Sequence, residues 1–344
     1  MKAAFYNGMG EMEVREFETP VPGNDEVLIK LKATGICGSD LNMNKSKSEA
    51  DKEPAGHEVA GEIVEIGEGV DSSMIGKRVA VEVLGSGKSC YSCWYCRQGQ
   101  YTHCQNKSVT SNGGFAEYIC RKSKGCYELS SDITWSQGAL VEPLAVSVHG
   151  ARIGKIKGGD TVAILGSGTI GLTAVTAARE LGAGKILVSA RHKHQADMAI
   201  KLGADATGNP ENGEFENLVQ EYTDGRGADL AIETVGGSRK DTVDQAIEVT
   251  RRQGNIVILG VFYGELPIDW KGPVLKEQRI QGSICYGIIN GTHDFEVAIN
   301  MLSKRSVNLE EIVTHTYPLE NIEEGFKTAY DKSTGSIKVH ILQN

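Results

Sequence analysis

A short apolar run, Thr161–Leu165, passes directly into the turn Gly166-Ser-Gly168-Thr169-Ile170-Gly171, and that turn opens directly into a segment with helical periodicity, Ile170–Leu181. A GxGxxG pattern alone is weak in a chain with 42 glycines. A strand before it and a helix after it make it strong, because that context is what dinucleotide binding requires. The first glycine permits the tight turn, the second lets backbone approach a pyrophosphate, and the third lets helix and strand pack closely. The anion then lies at the positive end of the helix. The rhythm continues beyond the turn. Lys185–Ala190 reads as a second strand, followed by a helix that ends at Leu202-Gly203 with glycine as its cap. Asp229–Glu233 reads as a third strand and Asn255–Gly260 as a later one. Strands alternating with helices predict an α/β fold with a doubly wound parallel sheet.

The chain changes character near residue 150. Before it, short β-rich runs alternate with glycine-containing turns: Val27–Lys32, Val59–Ile66 and Arg78–Val83. These predict a compact, barrel-like, β-rich domain. After about residue 285 the pattern turns irregular again, so the last stretch is expected to return to the first domain. The expected layout is 1–150 completed by 286–344, with 151–285 as the dinucleotide-binding domain. A length of 344 residues suits two domains, and 40% hydrophobic residues suffice for ordinary cores. A net charge of -9 argues against a general nucleic-acid or anionic-membrane surface. No apolar run approaches the length of a membrane span. The start, Met1-Lys-Ala-Ala-Phe-Tyr-Asn-Gly8, shows no signal-peptide core, so a cytoplasmic protein with reduced thiols is expected.

Four of the eight cysteines fall within fifteen residues, as Cys90-x2-Cys93-x2-Cys96-x7-Cys104. Four soft thiolates at tetrahedral reach suit a closed structural zinc site with no open position. An iron–sulfur cluster favours a last spacing of three followed by proline, whereas here it is seven with none. Disulfides need an oxidising compartment, of which there is no sign. Cys120, Cys126 and Cys285 read as packed or idle thiols.

The end of the second strand bears on cofactor choice. An NAD-selective site places Asp or Glu there to hold the adenosine ribose hydroxyls. This chain reads Val188-Ser-Ala190-Arg191-His192-Lys193-His194, with Ala190 at the carboxylate position. Alanine removes a repulsion toward a 2′-phosphate, and Arg191 offers it a planar fork of donors. NADP is therefore favoured over NAD, against the bland reading of a solvated basic helix start.

A second set of metal-ligand types is dispersed: Cys37-Gly-Ser39-Asp40, Gly56-His57-Glu58 and Glu142-Pro-Leu144. Each is weak by itself. Together they offer one thiolate, one imidazole and carboxylates, a mixed set that suits catalytic zinc. Such a site keeps a position for substrate, and zinc lowers the pKa of a hydroxyl there so that its carbon can release hydride to a nicotinamide.

With these motifs, and with Gly113-Gly-Phe-Ala-Glu-Tyr118, the chain resembles the zinc-dependent medium-chain alcohol dehydrogenases, in their polyol (sorbitol-type) and threonine dehydrogenase branch. The resemblance covers essentially the whole length. It implies a GroES-like catalytic domain completed by the C-terminal segment, an inserted Rossmann domain, and an active site in the cleft between them. It makes Cys37 and His57 zinc ligands and Glu58 an intermittent or direct one. Glu142 stands where other alcohol dehydrogenases have a cysteine, and would bind zinc directly or through its water. Asp40 would orient His57, and Ser39 would take the substrate proton. Ile170 would flank the pyrophosphate and nicotinamide side of the cofactor. Leu259, Gly260 and Val261, then Ser283, Ile284 and Cys285, would border nicotinamide and substrate. A homo-oligomer, a tetramer foremost, is implied as well.

Three departures qualify the match. The family often has a histidine two residues beyond Asp40, and here stands Asn42, which cannot titrate. Cys285 falls where sorbitol dehydrogenases carry a polyol-binding arginine. The stretch Leu41–Lys52 reads as a polar, charged loop, with Asn42, Asn44, Lys45, Lys47, Glu49 and Asp51. The expected activity is NADP-linked oxidation of a secondary hydroxyl on a polar, polyol-like or cyclitol-like substrate. The alternative is an NAD-linked threonine or simple secondary-alcohol or butanediol dehydrogenase. A non-enzymatic zinc protein is disfavoured by the intact Cys37, His57 and Glu142.

Overall fold

A computed structural model describes residues 1–46, 48–108, 113–304 and 308–343. Lys47 lies outside the described residues. Contacts divide the chain into two units. The first holds Met1–Glu142, Tyr286–Lys304 and the stretch from Glu310 onward. The second holds Pro143–Cys285.

The first unit begins with the hairpin β1 (Lys2–Tyr6) and β2 (Met12–Glu16), then β3 (Glu26–Gly35), α1 (Gly38–Ser46), β4 (Glu58–Ile66) and β5 (Arg78–Glu82). The one-turn helix α2 (Trp94–Arg97) follows, then β6 (Tyr118–Lys122), β7 (Cys126–Glu128), α3 (Trp135–Ala139) and α4 (Val141–Ile153). The chain leaves this unit inside α4, after Glu142. Ten-residue β3 is the hub of the sheet. β4 pairs along one edge of it, while β6 pairs with its first half, Glu26–Lys30. Its period-two side chains bury Val27, Ile29 and Leu31 with Ile63, Val79, Val81 and Ile119. Each such side chain contributes about 1.5–3 kcal/mol by leaving water.

The second unit is built from β8 (Thr161–Leu165), α5 (Thr169–Glu180), β9 (Lys185–Ser189), α6 (Lys193–Lys201), β10 (Ala206–Gly208) and α7 (Glu214–Tyr222). It continues with β11 (Ala228–Glu233), α8 (Asp241–Val249), β12 (Thr250–Ile258), α9 (Lys271–Lys276) and β13 (Arg279–Gly282). The strand order is β10-β9-β8-β11-β12-β13, and every neighbouring pair is parallel. This is the Rossmann order, with its switch point between β8 and β11. β8 and β11 are buried at every residue, as strands covered on both faces must be.

The chain then returns to the first unit with β14 (Ile288–Ile289), β15 (Thr292–His293), α10 (Asp294–Lys304), β16 (Val313–Pro318), α11 (Ile322–Tyr330) and β17 (Lys338–Leu342). β17 pairs antiparallel with Ala33–Gly35, the second half of β3, so the last strand completes the sheet that the third began. Ile341 and Phe326 pack with Tyr6, Ile36 and Phe115 in a second core cluster.

Two sequence expectations need correction. The loop expected from Leu41 is helical as far as Ser46, since α1 spans Gly38–Ser46. That helix is polar nearly all round, so no apolar stripe announced it. Asp40 in its first turn and Lys45 in its last match the helix dipole. The Tyr330 hydroxyl donates to Leu41 O at 2.7 Å, and the Lys45 ammonium lies 4.0 Å from the Tyr330 ring. Asn44 is buried and donates to Gly10 O at 2.9 Å. The other correction concerns the strand expected at Asn255–Gly260, which runs instead from Thr250 to Ile258 and carries a register irregularity against β11.

Candidate active site and zinc lobe

Cys37 follows β3, and His57 and Glu58 stand at the start of β4, where Gly35 pairs with Glu58. The β3–β4 register thus brings residues twenty apart in sequence together. Ligand atoms of Cys37, His57 and Glu58 lie within 4.8 Å of one another. Glu142 at the start of α4 is buried. Burial lifts its carboxyl to about 7, against the opposing pull of the His57 charge. Glu58 reinforces the rise, so these three groups share one electrostatic neighbourhood.

Asp40 organises the cysteine and the histidine. Fully buried in the first turn of α1, it accepts from Cys37 N at 2.9 Å and from the Tyr6 hydroxyl at 3.2 Å. Its Oδ1 lies 3.6 Å from His57 Nδ1, which leaves Nε2 as the other ring atom for a metal. Burial pulls the His57 imidazolium pKa down, but the charges of Asp40 and Cys37 outweigh it and leave the value well above the ordinary one. A cation bound there would take the place of that proton. Ser39 is exposed in the first turn of α1, one residue before Asp40, and Asn42 is exposed on the same helix.

Glu58 has a partner that local sequence could not announce. Lys338, buried on β17, donates to Glu58 Oε1 at 2.7 Å, to Oε2 at 2.6 Å and to Ile36 O at 2.9 Å. Burial works against the Lys338 charge, and the Glu58 carboxylate more than restores it. Both carboxylate oxygens are thereby occupied, so direct binding of a metal by Glu58 would compete with Lys338. Tyr6, Lys338 and Tyr286, which opposes the rise at Glu142, were all missed in the sequence reading. They lie in distant segments, and no spacing rule joins them to the site.

The four-cysteine lobe is built locally. Sulfur–sulfur distances are 3.5 Å for Cys93–Cys96 and 4.0 Å for Cys90–Cys96. Four thiolates at about 2.3 Å from one tetrahedral ion are separated by about 3.8 Å, so the donor set fits zinc. Backbone N–H groups aim at the sulfurs: Cys90 N at Cys104 Sγ (3.3 Å) and Cys93 N at Cys90 Sγ (3.4 Å). A hydrogen bond from Ser92, with two backbone amides, holds the Cys90 thiol near 5, ready to bind as thiolate. Burial pushes Cys120 and Cys126 up to about 12, as for packed thiols.

In the second unit, Gly166 has φ +103° and packs against Val235 and Thr234. A Cβ on Gly171 would lie 2.0 Å from Gly166 O, whereas one on Gly168 would meet nothing within 4 Å. The turn is therefore tight inside and open at the cap of α5, a cradle that fits a pyrophosphate, with Thr169 and Ile170 in the first helical turn. Ala190 follows β9 directly and its N–H donates to Gly208 O at 3.0 Å. Arg191 is exposed, with its Nε 3.3 Å from Glu211 Oε1. After β12, Leu259 is buried, Val261 is exposed, and a Cβ on Gly260 would lie 2.2 Å from Gly236 N. Ser283 donates its N–H to Ile258 O, Ile284 is exposed, and Cys285 has φ +53°.

A mixed thiolate–imidazole–carboxylate cluster on one unit and a dinucleotide cradle on the other define a zinc-dependent, nicotinamide-dependent oxidoreductase. Two family models match: the alcohol dehydrogenase GroES-like domain over residues 23–131 and the zinc-binding dehydrogenase over residues 169–304. The sorbitol dehydrogenase of Bacillus subtilis is 31% identical over 100% of this chain and 98% of that protein. The L-threonine 3-dehydrogenase of Pyrococcus horikoshii is 34% identical over 94% of each. A solved Escherichia coli oxidoreductase of unknown specificity superposes with a TM-score of 0.90 at 31% identity, over 100% of this chain and 99% of that one. The chain belongs to the zinc-dependent medium-chain alcohol dehydrogenase family, whose members act on CH–OH groups. No helix among the described residues is long and apolar enough to cross a membrane.

Proposed function

We propose that this protein transfers hydride between a secondary hydroxyl of a polar, polyol-like or cyclitol-like substrate and NADP, giving a ketone. The observation that carries the cofactor half is Ala190 at the end of β9, where an NAD-selective strand would end in a carboxylate, with Arg191 exposed beside it. The similarity to sorbitol dehydrogenase supports the polyol half. When bound, zinc would acidify the substrate hydroxyl and the nicotinamide would accept the hydride.

The chain's own groups would divide the remaining work. Cys37 and His57, with Glu142 or Glu58, would hold the catalytic zinc. Asp40 would fix the ring orientation of His57. Ser39 would receive the substrate proton and, because Asn42 cannot titrate, pass it to water or to the cofactor ribose. Cys90, Cys93, Cys96 and Cys104 would hold the structural zinc. Gly166, Gly168, Thr169, Ile170 and Gly171 would cradle the pyrophosphate. Leu259–Val261 and Ser283–Cys285 would border the nicotinamide. The edge of β13, unpaired among the described residues, and the exposed Trp270, Val274 and Leu275 support an oligomer in which a second copy covers them.

Nicotinamide absorbance, with NADP or NAD and a panel of sugar alcohols, inositols, aminocyclitols, threonine and butanediol, tests the proposal. Turnover of a polyol with NADP preferred is expected, and Ala190→Asp should move preference toward NAD. Turnover of threonine or butanediol with NAD preferred would instead establish the second reading, which the similarity to L-threonine 3-dehydrogenase favours.

A further inference from the structure

Strands β9 and β10 end side by side. Ser189 is in register with Gly208, and Ala190 N–H donates to Gly208 O at 3.0 Å. Carboxyl ends of strands are where a sheet of this type receives its ligand. Two strand ends therefore deliver residues to one place: Ala190 and Arg191 from β9, and Asn209, Pro210 and Glu211 from β10. The second delivery is shaped, since Asn209 Oδ1 accepts Glu211 N–H at 2.8 Å in an Asx turn and Asn209 N–H donates to Glu214 Oε2 at 3.2 Å. The turn presents the Glu211 carboxylate to Arg191 Nε at 3.3 Å.

We infer that Glu211 is a specificity-determining residue for the cofactor, acting against the phosphate and through Arg191. The inference rests on the NADP reading above. A carboxylate missing from the end of β9 is present at the end of the neighbouring strand. It opposes a 2′-phosphate in two ways: it holds the guanidinium that the phosphate requires, and it repels the dianion directly. Toward NAD it acts the other way, as an acceptor for a ribose hydroxyl. Glu211 thus narrows a preference that Ala190 and Arg191 would otherwise make steep. The side chains of Arg191 and Glu211 are 56% and 65% exposed, so their replacement leaves the core of the unit untouched.

The test is calorimetric binding of NADP and of NAD to the full-length parent, Arg191→Ala, Glu211→Gln and the double variant, with no turnover required. Glu211→Gln is expected to tighten NADP by about 1.5- to five-fold and to weaken NAD, the range that one exposed charge pair spans. Arg191→Ala is expected to weaken NADP by about ten-fold or more while sparing NAD. The gain from Glu211→Gln should shrink in the Arg191→Ala background, to the part due to direct repulsion of the phosphate, because the rest acts through Arg191. If Arg191→Ala loses NADP but Glu211→Gln leaves the NADP-to-NAD ratio unchanged, the Glu211 inference falls and the NADP reading stands. If Arg191→Ala binds NADP as the parent does, both fall.

Discussion

The two metal-ligand clusters of the first unit differ in almost every physical respect. The four-cysteine lobe uses one ligand type, spans fifteen residues and shapes its sulfurs with its own backbone amides. The Cys37, His57 and Glu58 cluster uses three ligand types and depends on strand pairing. It is steadied by Tyr6, through Asp40, and by Lys338, which lies 280 residues from Glu58 in sequence. A closed, uniform site gives its metal nothing to do but hold the chain. A mixed site, with its carboxylates balanced by buried partners, leaves choices of ligand and proton that chemistry can use. The contrast teaches that one domain can build one ligand set from local spacing and another from strand pairing.

The largest effect should come from the lobe. Cys93→Ser is expected to lose the lobe metal and to lower the melting temperature by about 10 °C or more, because structural zinc supplies folding free energy. Calorimetry with metal analysis checks this, and an unchanged melting temperature would erase the distinction between the sites. Next comes Lys338→Ala, which leaves the Glu58 carboxylate buried without its ion-pair partner. A loss of roughly 3–5 kcal/mol is expected in denaturant unfolding, with Lys338→Arg recovering part of it.

A third expectation concerns Glu82, which is buried at the end of β5, accepts from the Ser86 and Tyr127 hydroxyls, and lies 3.4 Å from His293 Nε2. Burial raises its carboxyl to about 7. The native state keeps a proton that the unfolded chain releases near pH 4.5. Stability should therefore fall as pH rises from about 4.5 to about 7, by roughly 3 kcal/mol, and level off above. Glu82→Gln should flatten that descent in unfolding measured across the range. The smallest change is Tyr6→Phe, which removes one donor from Asp40. About 1 kcal/mol of stability is expected to go, together with weaker metal retention at the mixed site than at the lobe.

What the sequence made legible follows the same divide. The lobe and the glycine cradle are local patterns, in which spacing alone carries the geometry. The parallel sheet was legible because β8 and β11 are short apolar runs at regular intervals. Helix α1 was not, since a polar helix held by Tyr330 and Gly10 has no periodic stripe. Lys338 could not be tied to Glu58, because its role appears only once β17 pairs with β3. The Arg191–Glu211 pair was half legible: Arg191 stood out beside Ala190, but Glu211 joins it only through the register of β9 and β10.

The measurement that tests the division most directly is metal content per chain with nicotinamide reduction, in the zinc-replete parent and in Cys37→Ser. The account predicts two zinc ions and turnover in the parent. In the variant it predicts one zinc ion, no turnover and a melting temperature close to the parent's. Turnover that persists after the mixed site has lost its zinc, or a variant that unfolds with that loss, would contradict it.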